Sequence, residues 1–356
     1  MKKRADEIKR YILDHVEQHP KDIATHTALH FNVTRTTAHR HIAALVKQGK
    51  LYKAGTTNQT VYSLPHTFNK FLQYDLTPDL SESNVWAQHF NHLKNDLSKN
   101  VYDICAYGFT EMLNNAIDHS LGQTVSITTE RKENKFIISI YDNGIGIFKK
   151  LKEAFNFDDE KESILQLSKG KLTTDPDNHS GEGIFFSSRV FDRFGIAANG
   201  LKYVRDNTDN DWFFESQRNR GEVGTLFKME IDLTSQRNMG DVFKKYVNPD
   251  TQAFDKTHIL VNLSLSNEDR FVSRSQAKRI LFGLEKFNHI ILDFKDINAV
   301  GQAFVDEVFR VFKNANPNII IDVINTNPEV QFMIDRGIAT AAQGALITPA
   351  TIKNSN

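Results

Sequence analysis

The spacing of apolar residues changes twice along the chain, and these changes divide it into three blocks. In the first block, Ile8, Ile12 and Val16 recur at helical spacing, and two further helices are predicted near 22–30 and 34–48. Two short alternating runs then surround the polar segment AGTTNQ, a pattern typical of a β-hairpin. The first block is therefore predicted to contain three helices followed by a hairpin.

The second block, residues 68–234, places long helical patterns before and between strands. The segment 83–120 is predicted to form two helices, and strands are predicted at 125–132, 135–142 and 224–233. The segment 148–180 between the second and third strands is rich in Asp, Glu, Lys, Ser and Gly, and its length is typical of a mobile lid. Such lids usually cover a ligand.

The third block, residues 254–343, alternates strand and helix three times. This order predicts a small α/β layer, with residues 344–356 as a tail. The fold class is thus multidomain α+β. With 356 residues, the chain has the length of two or three domains of about 150 residues each.

Charge distinguishes the first block from the rest. Lys plus Arg and Asp plus Glu both number 44, but residues 1–65 hold eleven basic and five acidic side chains, a balance of +6 that leaves −6 elsewhere. The single cysteine, Cys105, excludes an internal disulfide and metal sites of the CxxC kind. The N-terminal segment lacks the apolar run of an export signal, and no uncharged run reaches eighteen residues. We expect a cytoplasmic, soluble protein without a membrane partner.

The first block, residues 1–65, resembles a winged helix-turn-helix domain. Thr34 is predicted to cap the third helix and Gly49 to end it. A DNA-reading helix presents short polar and cationic groups outward, and double-stranded DNA is the partner that this pattern indicates. The candidate contacts are Arg35, Thr36, Thr37, His39, Arg40, Lys47 and Lys53. Small helical domains with a hairpin also serve as protein-docking modules, so this alternative stays open.

Three motifs carry the chemistry of the second block. In ExxxN, Glu111 and Asn115 lie four residues apart and share one helical face, where their oxygens could approach a hydrated cation. In YDNGIGI, Asp142 ends a strand, where it could accept a hydrogen bond from an exocyclic amine. Gly144 and Gly146 follow it, so that backbone can approach a flat ligand.

The third motif is SGEG, which brings Gly181 and Gly183 directly before a helix. Free backbone amides at a helix start attract phosphate. A Gly-Thr pair, Gly224 and Thr225, then opens the last predicted strand.

The ordered set of these motifs resembles the GHKL ATPases, the superfamily of gyrase, the heat-shock chaperone ATPase and the histidine kinases. The wording TEMLNNAIDHS is most similar to the anti-sigma-factor serine kinases. The resemblance covers about residues 83–233 and implies a Bergerat-type sandwich, a helix layer on a mixed sheet, with ATP held between them.

The resemblance also implies roles for individual residues. Asn115 would coordinate Mg²⁺, and Asp142, with Thr225 beside it, would bind the adenine amine. Gly144 and Gly146 would shape the base pocket, and Gly181 and Gly183 would admit the triphosphate. Glu111 would be the catalytic residue, because the corresponding glutamate orients water in ATP-hydrolysing relatives and can activate a protein hydroxyl in kinases.

Two features depart from the family pattern or need a test. Glu182 lies between the glycines of the third motif, where its negative charge would repel phosphate. We therefore expect its side chain to point outward, since phosphate affinity would otherwise be reduced. Lys169 and Lys171 could reach the γ-phosphate from the lid.

The third block resembles the STAS-like domains, on the segment IILDFKDINAVGQAFVDEVF. The family's phosphorylatable serine precedes the helix, but here the turn reads Val300-Gly301-Gln302-Ala303-Phe304 and has no hydroxyl. Ser264, Ser266, Ser273 and Ser275 are distant in sequence. We therefore favour a docking surface for a protein partner, at the helix start, over a phosphoacceptor.

Our leading hypothesis is a regulator in which ATP rearranges a homodimer and changes how two winged helices address DNA. The alternatives are a serine/threonine protein kinase that acts on a separate regulatory protein, and a non-catalytic adaptor. The sequence leaves open whether ATP is hydrolysed, transferred or only bound.

Overall fold

The fold is described from a computed structural model. It covers residues 2–16, 18–54, 60–63, 70–132, 134–208, 211–216, 223–264 and 272–345. The predicted hairpin turn at 55–59, Ser266 and the tail from 346 onward lie outside the described residues.

The N-terminal unit contains the predicted three helices and a two-stranded sheet. Its elements are α1 (Lys2–His15), α2 (Ile23–Phe31), α3 (Arg35–Lys47), β1 (Tyr52–Ala54) and β2 (Val61–Ser63). The strands pair antiparallel, and Ile8, Ile12, Ile42 and Leu45 contribute to a core of their own. The predicted cap is confirmed, because the Thr34 hydroxyl accepts from the Thr37 amide at 3.2 Å. Gly49 follows α3 with φ 66°, a left-handed conformation that favours glycine after a helix end.

The middle unit combines a helix layer with one large sheet. Its helices are α4 (Glu82–His89), α5 (Lys99–His119), α6 (Ile147–Phe155), α7 (Glu160–Lys169) and α8 (Gly183–Val190). Its strands are β3 (Lys70–Asp75), β4 (Thr124–Lys132), β5 (Lys135–Asp142), β6 (Arg193–Ala198), β7 (Leu201–Asp206), β8 (Asp211–Ser216) and β9 (Thr225–Asp232). Val101, Ile104, Phe109 and Met112 on α5 are buried with the apolar side chains of the sheet.

The predicted mixed sheet is wrong for the described strands, since every neighbouring pair is antiparallel. The strand order is β3-β4-β5-β9-β6-β7-β8. β5 and β6 run in the same direction and are joined by the long helical connection that parallel neighbours require. However, β9 inserts between them and pairs antiparallel with both.

The predicted lid, residues 148–180, is largely helical. α6 and α7 occupy its first two thirds, and the last seven residues of α7 are buried. The part without helix or strand begins at residue 170 and continues to the start of α8.

The third unit follows the predicted alternation of strands and helices. It begins after α9 (Met239–Lys244) and contains β10 (Lys256–Leu260), α10 (Arg274–Leu281), β11 (His289–Asp293), α11 (Gln302–Asp306), a π-helical turn (Glu307–Phe312), α12 (Lys313–Ala315), β12 (Ile320–Ile324) and α13 (Pro328–Ala345). The three strands are parallel, in the order β10-β11-β12.

One hydrophobic core joins the second and third units. Phe185 of α8 packs on Phe254 with ring centroids 4.5 Å apart, and Phe254 packs on Phe287 at 5.3 Å. The second and third units therefore share one continuous hydrophobic core and are not independently packed domains. No helix in the described parts of the chain combines the length and apolarity needed to cross a bilayer.

Candidate functional site

A cleft with about 880 Å³ of empty space, part of it open to solvent, lies between the helix layer and the sheet of the middle unit. Most of the residues predicted from the three motifs and the Gly-Thr pair meet on its wall. These are Glu111, Asn115, Asp142, Gly146, Gly181, Gly183 and Thr225. Segments far apart in sequence thus form one concave surface.

Asp142 is the buried acid of this cleft, with 2% of its surface exposed. Its Oδ1 accepts hydrogen bonds from the amides of Gly144 at 2.9 Å and Thr225 at 3.3 Å. Burial raises the pKa of Asp142, and these hydrogen bonds oppose the rise. The ends of two neighbouring strands therefore fix the orientation of one carboxylate at the base of the cleft.

The glycine loop after Asp142 is held by close backbone contacts. A Cβ on Gly144 would lie 2.0 Å from the Ser120 carbonyl oxygen, and a Cβ on Gly146 would lie 2.3 Å from Oδ1 of Asn199. Gly146 also has φ 84°, which side chains rarely adopt. Gly144 itself is not on the cleft wall, and its contribution is this tight approach to the end of α5.

Asn199 was missed by the sequence reasoning. Its Nδ2 donates to the Ile145 carbonyl at 3.0 Å, and its Oδ1 accepts from the Lys149 amide at 3.2 Å. These two bonds clamp the glycine loop. The Asn199-Gly200 pair, a common hairpin turn, was the available signal.

The helix α5 presents Glu111 and Asn115 together, as their spacing predicts. The Asn115 Nδ2 donates to the Glu111 carbonyl at 2.7 Å, which leaves its Oδ1 as the acceptor on the cleft side. Amide oxygens are ligands that Mg²⁺ accepts. Burial, with the nearby Glu182 carboxylate as a smaller cause, raises the pKa of Glu111. A raised pKa suits a residue that exchanges a proton near neutral pH.

The start of α8 faces the Glu111 carboxylate directly. A Cβ on Gly183 would lie 2.0 Å from Oε2 of Glu111, and one on Gly181 would lie 2.7 Å from the Leu172 backbone. Gly181 also has φ 71°. Only glycine fits at either position without displacement of a neighbour, so the backbone of this turn lies directly against Glu111 and Leu172.

Glu182 does not point away from the cleft, contrary to the sequence expectation. It is partly buried on the cleft wall, and burial raises the pKa of its carboxyl, opposed by the charge of Lys171. A second acid thus lies at the end of the cleft where the helix start would attract an anion.

His119, which ends the first motif, lines this end together with Lys150 and His179, which the motifs did not indicate. The Lys150 Nζ donates to the His119 carbonyl at 2.7 Å, and the His119 ring contacts the His179 ring edge to face at 4.5 Å. His179 lies 3.4 Å from the Asp118 carboxylate. Lys150 and His179 come to His119 through tertiary packing, so no local sequence pattern could have identified those two residues.

Lys169 and Lys171, which could have reached the γ-phosphate from the lid, bind other partners in the structure. Lys169 is buried, and its Nζ donates to carbonyl oxygens of the third unit. The Lys171 Nζ donates to the Lys286 carbonyl at 2.8 Å. Both ammonium groups thus bind backbone acceptors that the third unit supplies.

The candidate DNA contacts lie on the N-terminal unit, where α3 carries most of them outward. The exposed members are Arg35, Thr36, His39, Arg40, Lys47 and Lys53. Thr37 is only partly exposed, and its hydroxyl lies 3.0 Å from that of Thr34. Thr37 therefore contributes to the helix cap.

The helix start at Gly301 in the third unit lies beside a serine after all. Val272 and Val300 form an isolated parallel β-bridge, and the Gly301 amide donates a hydrogen bond to the Val272 carbonyl at 3.0 Å. Ser273, at the N-cap of α10, is thus next to this turn in space although it is distant in sequence.

Two family models match parts of the chain. Residues 105–235 match the model described as histidine kinase-, DNA gyrase B- and HSP90-like ATPase. Residues 276–331 match a STAS-like domain of unknown function. No curated protein similar to the chain was found. The chain therefore contains an ATPase domain of the GHKL type and a STAS-like domain.

Proposed function

We propose that the protein is a nucleotide-controlled DNA-binding regulator, in which ATP with Mg²⁺ occupies the cleft of the GHKL-type domain. The observation that supports this most directly is the convergence of Asp142, Asn115 and Gly183 on one cleft. Three motifs separated by up to 68 residues would have no reason to converge in this way if each were only a local turn former.

The residues of the cleft fit the chemistry of an adenine nucleotide. Asp142 offers a fixed carboxylate for the adenine amine, with Thr225 beside it. The backbone turn at Gly181 and Gly183 offers amides to the phosphates. Asn115 offers Oδ1 to Mg²⁺, and phosphate oxygens and water would complete the ion's shell. When bound, the nucleotide supplies a transferable phosphoryl group, and Glu111 is the residue that could hold the proton of an attacking hydroxyl.

DNA binding is proposed for the N-terminal unit. α3 is capped, amphipathic and outward-facing, and it belongs to the part of the chain with the excess of six positive charges. In a homodimer, two such helices would address two half-sites. ATP must bind one arrangement of that dimer more tightly than the other, because equal affinity shifts nothing.

The fate of the γ-phosphate separates this proposal from its alternatives. The purified protein is incubated with Mg²⁺ and γ-labelled ATP, and the bound nucleotide, free phosphate and protein-attached label are measured. Exchangeable binding, with or without slow phosphate release, supports the regulator. Label transferred to a protein indicates the kinase instead. If no nucleotide exchanges with the cleft, the proposed function is wrong and the adaptor is favoured.

A further inference from the structure

The C-terminal end of α7 is built into the STAS-like domain. Lys169 is its last residue, with 2% of its surface exposed. Its Nζ donates to the Gln166 side chain at 2.6 Å, to the Arg279 carbonyl at 2.8 Å and to the Phe282 carbonyl at 2.9 Å. The last two acceptors belong to the C-terminal end of α10, in the other domain.

The geometry matches what an ammonium group and a helix end require. An ammonium has three N–H donors, and here three oxygen atoms accept them. The carbonyls at a helix C-terminus carry the negative end of the helix dipole, so a cation is favoured there. Burial lowers the pKa of Lys169, and the carboxylates of Glu162 and Glu285 oppose that change.

Neighbouring contacts hold the same junction from several sides. The Thr257 hydroxyl of β10 donates to the Lys169 carbonyl at 2.8 Å, and the Gln166 Nε2 donates to the Arg279 carbonyl at 2.9 Å. The Lys171 Nζ lies 4.7 Å from the centre of the Phe287 ring. The chain entering the loop after α7 is therefore fixed to the STAS-like domain through backbone and side chains.

From this junction the chain turns sharply into the nucleotide cleft. Gly170 and Lys171 both have positive φ, 82° and 56°. The next residue, Leu172, lies on the cleft wall. Its backbone packs so closely against Gly181 that a Cβ at position 181 would lie only 2.7 Å from it. The Lys169 hydrogen bonds, the turn at 170–171 and the Leu172 backbone thus connect α10 to the predicted phosphate-binding turn.

We propose that Lys169 is a positioning residue through which the STAS-like domain sets the conformation of the loop at 170–174 and thereby controls nucleotide exchange. This inference rests on the proposed nucleotide-binding function. Its physical basis is that the loop start cannot move away from Gly181 unless the Lys169 ammonium leaves the end of α10. A shift of α10 caused by a partner would conversely displace the loop.

Thermodynamic linkage makes this proposal reciprocal. If α10 and the cleft loop move together, nucleotide bound in the cleft must slow amide exchange at the end of α10. Loss of the Lys169 hydrogen bonds must in turn make the nucleotide dissociate faster. Couplings between such sites are typically about 5- to 150-fold in affinity.

The test uses the full-length protein and an ATP analogue with a fluorescent group on its ribose. The dissociation rate of the analogue and the amide exchange of residues 274–287 are measured in wild type, in Lys169→Met and in Lys278→Met. Lys278 is an exposed lysine on α10, the helix whose end accepts from Lys169, and serves as the matched control. We expect Lys169→Met to release the analogue at least fivefold faster, and nucleotide to protect 274–287 in wild type and control but not in this variant.

If Lys169→Met does not fold, Thr257→Val removes one bond of the junction and is measured in the same way. Unchanged release together with undiminished protection of 274–287 in the folded variant would overturn the inference. Failure of the wild type to bind the analogue at all would instead contradict the proposed function, so the two failures are distinguishable.

Discussion

Asp142 illustrates how one side chain can serve both fold and site. Its Oδ1 ties the glycine loop to the first residue of β9, at 2.9 and 3.3 Å, while its carboxylate forms part of the cleft wall. Replacing Oδ2 with an NH₂ group changes an acceptor into a donor and leaves the size of the side chain nearly unchanged.

Asp142→Asn is therefore predicted to weaken ATP binding with little change in folding. The loss of a charge-assisted hydrogen bond is worth about 1.5–3 kcal/mol, roughly 10- to 150-fold in affinity. Titration calorimetry in the presence of Mg²⁺ measures the change, and Asp79→Asn, at an exposed position, is the control. Equal affinities in both variants would refute the assignment of Asp142.

Glu182 provides a prediction of the opposite sign. Its carboxylate is partly buried on the cleft wall at the end where phosphates are expected, so its charge opposes theirs. Glu182→Gln is predicted to tighten ATP binding by about 1 kcal/mol, roughly fivefold, and to have less effect on adenosine. The exposed Glu153 on α6 supplies the control variant Glu153→Gln. Weaker ATP binding in Glu182→Gln would show that the carboxylate has another role.

The site residues found from sequence are those whose chemistry depends on local spacing. Glu111 with Asn115, and Gly181 with Gly183, belong to short motifs on one helix or one turn. Lys150 and His179 reach the same cleft from elements that only the tertiary fold brings together, so the spacing within the motifs does not identify them. Asn199 holds the glycine loop from another such element, and the Asn-Gly pair signals only its turn. The partners of Lys169 and Lys171 could not be identified from spacing either, since their acceptors lie more than one hundred residues away.

At the scale of elements, long periodic helices and alternating strands were predicted well, and the sheet order was not. α5, β4, β5 and β9 were identified, but β3, β6, β7 and β8 were missed. β6 and β7 pair antiparallel through the short turn at Asn199. The insertion of β9 between β5 and β6 depends on long-range pairing, which the pattern of a single strand cannot specify.

The packing of α1 against α2 predicts a dependence of stability on pH. The rings of His19 and His26 stack at 3.7 Å, and His15, His30 and Asp22 also act on His26. Burial, followed by the charges of His19 and His15, lowers the pKa of His26, and only Asp22 opposes this. The folded state therefore binds a proton less readily than the unfolded state, whose histidine titrates near pH 6.5.

The contribution of His26 to stability is consequently complete above about pH 6.5 and is lost as the pH falls below that value. We expect the N-terminal unit to unfold at lower temperature at pH 5.5 than at pH 7.5, and His26→Gln to reduce this difference. The unfolding temperature at each pH is measured from the NMR signals of Ile8 and Ile12, which are buried in the N-terminal unit. His92→Gln, at an exposed position, is the control. An identical pH dependence in His26→Gln and wild type would exclude this role of the imidazole cluster.

At the scale of the whole molecule, three sequence blocks become two packed bodies. The GHKL-type and STAS-like domains share one core, whereas the N-terminal unit has its own. Tyr52 of β1 nevertheless stacks 5.4 Å from the Arg131 guanidinium at the end of β4, so the hairpin strand contacts the ATPase sheet. A change in the ATPase domain thus has a physical route to the proposed DNA-binding surface, which composition and motifs could not reveal.

The most direct test of the account is the affinity of the full-length protein for duplex DNA, measured across a salt series without nucleotide, with ADP, with ATP and with a nonhydrolysable ATP analogue. We expect a steep salt dependence that Arg35→Ala with Arg40→Ala reduces, and an affinity that differs between ATP and no nucleotide in wild type but not in Asp142→Asn. DNA affinity that is the same in all four nucleotide states, while ATP demonstrably occupies the cleft, would contradict nucleotide control of DNA binding.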